Sequence, residues 1–441
     1  MSNRIKSCKY IAIRVKVASP ICVSSGVADY TDSDVMRNGD GDVFIPGTSL
    51  TGAFRNYTER KKNEESIFGY SKGEDGHMSS VFVSDLYFDS GVRISERDQV
   101  QLNKDKQVNN KFDTEILETG AEGIIYLHYI VREKDNSEAE FDSEIMDIIK
   151  AIKKGYIRIG SNRNRGFGRL EILETRSKRF TSEQRESMLE FKSNDYKNIE
   201  KYDTEISHED MSSDENDLDK SKFIKICVPL RLTGGISIRK YSTEPKKADY
   251  EHITCNGKPV IPGSSWNGAI RAMCLRILED ILDDSDKASK YIDDWFGFVN
   301  IGAKESELKA RQSAIVFNES VLDGGEEKIL SRNKVNRFDG STIDGALYTE
   351  KSYFGGTTVL EIMLRKSNSN YKALAGLIQL VIEDIKEGYI SIGGQAAIGR
   401  GIFEANNEEN AKIEWQGAKE GEEFGKELFK LLEPNMRKEG M

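Results

Sequence analysis

The segment IPGTSLTGAFR at residues 45–55 returns as IPGSSWNGAIR at residues 261–271, 216 positions further on. Each copy follows a tight-turn signal, Asn38-Gly39 with Asp40-Gly41 in one case and Asn256-Gly257 in the other, which predicts a hairpin. Each opens a helical pattern, and the second places Ile270, Met273, Cys274, Ile277 and Leu278 on one face. Upstream, Ile11, Ile13, Val15 and Val17 alternate with polar residues, as do Ile224, Ile226, Val228 and Leu230, so each motif is preceded by a strand.

Further matches keep the same order. Phe68-Gly69 answers Phe296-Gly297, and Arg97, Val100, Glu115 and Gly120 answer Arg332, Val335, Glu350 and Gly355 at a common offset of 235. A strand and then a helix follow in each half, which closes on GYIRIGSNRNRGFGRL from Gly155 or GYISIGGQAAIGRGIF from Gly388. Several signatures in one order mark a duplication. The β-α-β…β-α-β succession predicts an α+β fold of two tandem ferredoxin-like, RRM-type domains. The stretches around 97–120 and 332–355 form an inserted hairpin in each. The expected boundaries are a first domain over 1–175, a linker over 176–221, a second domain over 222–415 and a helical tail over 416–441.

The chain has 441 residues and a net charge of −10, which by itself argues against a phosphate-binding protein. Eight of the acids fall between Asp203 and Asp219 with no Lys or Arg among them, which leaves −2 for the rest. Such a run reads as a solvated, disordered join. No apolar stretch is long enough to span a membrane and no secretory signal is visible. Five scattered cysteines form no CxxC pair and four histidines form no HExxH, against a disulfide frame or a zinc site. A cytoplasmic protein is expected.

Gly47-xxxx-Gly52 and Gly263-xxxx-Gly268 lack the Lys-Ser/Thr of a Walker A loop, so an ATPase is not expected. What remains is a turn, the hydroxyls of Thr48, Ser49, Ser264 and Ser265, and Arg55 or Arg271 one turn into a helix. These residues either cap the helix or hold a phosphate at its N-terminus, and duplication of the whole motif favours phosphate. Arg163, Arg165 and Arg169 crowd a glycine-rich segment with Phe167, a composition suited to backbone contacts and base stacking. The second copy keeps the glycines but only Arg400, so a stronger RNA path is expected in the first half.

Taken together, IPG[ST]S-x-x-GA-x-R and a glycine-rich, GR-containing closing loop resemble the RAMP superfamily of CRISPR-associated proteins. The likeness covers roughly residues 8–174 and 222–405. It is greatest to the backbone subunits of type III effector complexes, and tandem fusion is similar to that of some type III-D systems. The resemblance implies that the IPG helix and the glycine-rich loop bind guide CRISPR RNA beside other subunits of the complex. A thumb-like hairpin would interrupt the guide–target duplex, with base pairing supplying specificity. In cleaving members an aspartate in the loop before the IPG motif cuts target RNA. The family pattern fits Asp32-Ser-Asp-Val-Met-Arg37 and, with Thr254 in place of Arg, Asp249-Tyr-Glu-His-Ile.

By that resemblance Asp32 and Asp249 are the catalytic residues and hold a divalent cation, Mg2+ or Mn2+, at two metal-dependent endoribonuclease sites per chain. Asp34 is an off-register rival to Asp32, and His252 either assists Asp249 or packs. The alternatives are a non-catalytic guide-binding subunit and a guide-precursor processing endoribonuclease, the latter disfavoured by the scarcity of histidine.

Overall fold

The computed structural model describes residues 4–24, 26, 31–59, 67–72, 75–102, 108–133, 138–206, 222–241, 248–299, 310–408, 411–419 and 422–435. The chain divides into two compact units, residues 1–163 with 167–216, and residues 164–166 with 217–441.

In the first unit the alternating residues Ile11, Ile13, Val15 and Val17 lie in strand Ile5–Val17 and face a core shared with helices Gly47–Glu59 and Glu138–Lys153. This strand is flanked by antiparallel Glu122–Arg132 on one side and Leu170–Thr181 on the other. Val81–Val83 and Leu86–Ser90 pair on the far side of Glu122–Arg132. The order last, first, third, second is consistent with a ferredoxin-like β-α-β-β-α-β unit. The second unit repeats it with Ile402–Ala405, Phe223–Thr233, Thr357–Arg365 and Ile315–Phe317. Helices Gly263–Leu282 and Tyr371–Lys386 contribute to its core.

Each unit carries the expected hairpin. Ile94–Leu102 pairs with Val108–Leu117 in the first, and Glu326–Arg332 with Tyr348–Phe354 in the second.

The expected linker over 176–221 needs correction. Arg176–Thr181 continues the last strand against Ser7–Ala12, and Thr204–Glu205 adds a further strand beside it. Helix Arg185–Asn194 and the turn Ile199–Lys201 lay Phe191, Ile199 and Tyr202 over Cys8, Tyr10, Ala12 and Tyr126 on the second face of the sheet. Burying a side chain such as Phe191 contributes about 2 kcal/mol, enough to hold a polar helix down. Most of the acidic run, 207–221, lies outside the described residues.

The tail also joins its own unit. Glu414–Gln416 pairs with Lys225–Cys227. Helix Phe424–Leu432 buries Phe424, Leu428 and Leu432 in the second core, with Gly376 so close that a Cβ there would lie 2.4 Å from the Phe424 carbonyl.

Candidate nucleic-acid interface

The two IPG helices are held by their first glycine. A Cβ on Gly47 would stand 2.5 Å from the Val83 carbonyl oxygen, and one on Gly263 would stand 2.3 Å from that of Phe317. Leu50 and Phe54, or Trp266 and Ile270, fill the inner face. The outer face presents Thr48, Gly52 and Asn56 in the first helix and Gly268, Arg271 and Ala272 in the second, with Arg55, Ser49, Ser264 and Ser265 half-buried. A Cβ at Gly52 or Gly268 would meet nothing within 4 Å, so this face lets another chain approach the helix backbone. Arg271 makes an exposed pair with Asp293 at 3.1 Å.

The N-terminus of the first helix is not open to a phosphate. The Gly47 N–H donates to the Asp85 carboxylate at 2.7 Å, and the Ser49 and Ser265 N–H groups donate to the Pro46 and Pro262 carbonyls. A side-chain carboxylate already satisfies the positive end of the helix. In the first helix the outer stripe, rather than the tip, is therefore the surface open to a ligand.

The glycine-rich loops share one conformation. Gly168 and Gly401 have φ of 86° and 70°, and their carbonyls accept the Ile159 and Ile392 N–H groups at 2.9 and 2.8 Å. Asn162 and Gln395 both sit in the left-handed region, each before a short turn of 3-10 helix, Arg163–Arg165 and Ala396–Ile398. Arg163 and Arg165 are exposed and Arg169 half-exposed, so the first loop presents cations as expected.

Phe167 and Arg400 do not serve as expected. Phe167 is buried with Cys22 and Ile116, and the Arg97 guanidinium lies 6.0 Å from its ring centre. Its ring is therefore unavailable to stack on a base. Arg400 occupies the matching place in the second loop, 9% exposed, over Phe354 and 3.9 Å from the Glu350 carboxylate. Its charge is engaged inside the protein.

The loops before the IPG motifs are tied to the hairpins. The Asp32 N–H donates to the Asp113 carboxylate at 3.0 Å, and the Asp113 N–H donates back to Asp32 at 3.1 Å. Asp249 makes a related clasp with Thr349, through the backbone carbonyl in place of a side chain: its N–H donates to the Thr349 carbonyl at 2.9 Å, and its carboxylate accepts the Thr349 N–H at 2.6 Å. Asp113 and Thr349 are 236 residues apart, one more than the offset that pairs Glu115 with Glu350. Accordingly those two acids face differently. Glu115 accepts the Val35 N–H at 3.0 Å and pairs with Arg37, whereas Glu350 is fully buried against Arg332 at 3.0 Å.

Asp32 and Asp249 are both exposed. Asp34, only 5% exposed, accepts the Thr31 N–H and hydroxyl at 2.9 and 2.7 Å and so shapes the loop. His252 packs: its Nδ1 accepts the Ile238 N–H at 3.2 Å, and burial lowers its pKa to about 4. Beside the first acid loop, a groove of about 400 Å3 is lined by Arg37, Tyr87, Val92 and Ile94 among others.

The exposure of apolar residues on the second hairpin escaped the sequence reading. Ile329, Val335 and Leu347 are exposed there, and Phe338 is 93% exposed. An apolar residue between Arg337 and Asp339 in a turn was the available signal.

Among the described residues no group of three or more His, Cys, Asp or Glu is placed to hold a metal ion, and no helix is long and apolar enough to cross a membrane. An exposed aspartate such as Asp32 or Asp249 suits a hard cation only where further oxygen ligands complete the set.

A family model described as the RAMP superfamily matches residues 14–171 and 223–404. No curated protein matches the chain.

Proposed function

Because the chain belongs to the RAMP superfamily in both halves, a family whose members bind CRISPR RNA in multisubunit complexes, we propose that it is a tandem backbone subunit of a type III effector that binds guide RNA and cleaves target RNA at two sites. The observation that carries this reading is the repeated clasp. Asp32 on Asp113 and Asp249 on Thr349 each hold an exposed carboxylate against the return strand of the inserted hairpin.

Each part has a task in this reading. The outer stripe of the IPG helices and the Arg163–Arg165 loop take the guide backbone, where guanidinium groups make forked phosphate contacts. The hairpin wedges the guide–target duplex, and Phe338 is the apolar side chain best exposed to enter a base step. The clasp keeps the aspartate fixed next to the distorted strand, so the target 2′-oxygen can line up with the scissile phosphorus. Asp32 and Asp249 would hold a Mg2+ or Mn2+ ion together with RNA phosphates, and when bound it would offset the charge on the attacking and leaving oxygens.

The absence of a three-ligand cluster among the described residues favours one rival, a guide-binding subunit without cleavage. Cleavage mapping in the assembled complex with guide and complementary RNA decides between them. Asp32→Ala and Asp249→Ala should each remove one cut and leave the other. An unchanged pattern in both variants would show that the aspartates are not catalytic.

A further inference from the structure

The joint between glycine-rich loop and hairpin root is built from opposite materials in the two units. In the first unit it is the apolar trio Cys22, Ile116 and Phe167, all buried. The same places in the second unit hold Ser237, Ser352 and Arg400. The Cys22 carbonyl accepts the Ser161 N–H, as the Ser237 carbonyl accepts that of Gly394. Ile116 lies three residues after Asp113, as Ser352 does after Thr349. Phe167 and Arg400 each stand between the last two glycines of their loop.

Among the described residues every member of the polar trio keeps a buried polar atom without a partner: Ser237 Oγ, Ser352 Oγ and Arg400 Nε. Two described neighbours do the same, His252 Nε2 and Gln395 Oε1, while Glu350 Oε1 lies 3.0 Å from the Arg332 guanidinium. Strand register gathers them. Ile236 pairs with Tyr353, so Ser237 reaches the level of Ser352, and Glu251 pairs with Lys351, so His252 does too. Gln395 donates to Glu350 at 2.5 Å from the loop side. Ser237, Glu350 and Ser352 are at most 1% exposed. Because His252 Nδ1 accepts a backbone N–H, its ring proton sits on Nε2 and makes that atom a donor.

We propose that this joint holds internal water, which bridges the donors of Ser237, Ser352, His252 and Arg400 to the acceptors of Glu350 and Gln395, whereas the equivalent joint of the first unit is dry. A buried water takes two to four polar partners of both kinds, and this set supplies them. An orphaned buried donor or acceptor costs about 1–3 kcal/mol, so the five left unsatisfied would not persist in a stable unit. Water can exchange one partner for another as the loop shifts, while close-packed Cys22, Ile116 and Phe167 fix their loop in one position. Around the Arg400–Phe354 contact the second joint can therefore exchange water-mediated partners, whereas the first is close-packed throughout.

Water-17O magnetic relaxation dispersion on the full chain registers long-lived internal water directly. The variant Ser237→Cys/Ser352→Ile/Arg400→Phe installs the first unit's residues and should lower the internal-water amplitude by at least one molecule's share. A folded variant with the native amplitude overturns the proposal. Should the triple variant not fold, Ser237→Ala and Ser352→Ala each remove only a hydroxyl anchor. Amide exchange across residues 393–401 should then quicken at least threefold, and native exchange rates in both variants would overturn it equally.

Discussion

Arg400 places its guanidinium carbon 4.4 Å from the centre of the Phe354 ring, pinning the second glycine-rich loop to the hairpin. The first unit makes the corresponding contact with the partners exchanged, since its hairpin supplies Arg97 and its loop Phe167. In both, a cation–aromatic pair fastens the loop to the hairpin root, and in neither does the residue remain for RNA. Arg400→Ala should destabilise the second unit by about 2–4 kcal/mol, because Glu350 is left buried with one cationic partner fewer. Urea denaturation measures this.

Arg163 is the contrasting case. Its side chain is exposed on the first loop, so Arg163→Ala should change stability by less than about 0.5 kcal/mol. It should lower the salt slope of guide-RNA binding by about 0.7, the share of one single-strand phosphate contact. A salt titration of binding that returns the native slope would remove Arg163 from the interface.

The glycines of the IPG motifs should separate by role. Gly47→Ala and Gly263→Ala drive a methyl into the Val83 and Phe317 carbonyls and should cost about 1–3 kcal/mol. Gly52→Ala and Gly268→Ala meet open space in a helix and should stabilise by about 0.5–1 kcal/mol. If RNA lies against that stripe, the stabilised variants will nonetheless bind guide RNA more weakly, which a filter-binding titration resolves.

Two acids two residues apart should likewise part company. Asp34→Ala loses both hydrogen bonds to Thr31 and should destabilise by about 1–3 kcal/mol. The clasp at Asp32 is exposed, so Asp32→Ala should cost less than about 1 kcal/mol. Melting curves paired with cleavage maps distinguish a loop-shaping acid from an acting one.

Acid should weaken both units through buried imidazoles. Burial, helped in the first case by the charge of Lys192, lowers His128 and His252 from the ordinary 6.5 to about 4. Below pH 6.5 the unfolded chain takes up a proton that the folded chain refuses. Stability therefore falls as pH drops from 6.5 towards 4 and is fully present above pH 7, by up to about 3 kcal/mol for each ring. Urea midpoints at pH 7 and 4.5 measure the drop, and His128→Phe should reduce it in the first unit.

The sheets, the IPG helices and the hairpins were legible because each rests on local periodicity or a turn signal. Phe167 and Arg400 were misread because nothing near them in sequence announces what covers them. Their partners, Ile116 and Phe354, come from a hairpin some fifty residues upstream. The same reason hid helix Arg185–Asn194, a polar segment held down by Phe191 beneath it. A one-residue slip between the hairpins also misaligned Glu115 with Glu350, and only the clasps of Asp32 and Asp249 set the register right.

The two closing loops have the same left-handed entry at Asn162 and Gln395, the same 3-10 turn and the same glycine pressed on an isoleucine carbonyl, yet the turn of one is cationic and that of the other neutral. Shape is set by glycines and backbone bonds, charge by the residues between them, and the two are independent. The loop is in effect an interchangeable cassette. Ala396, Ala397 and Ile398 can be exchanged for the first loop's Arg163-Asn164-Arg165 without rebuilding the turn, which turns the charge difference between the two halves into a quantity that can be dialled.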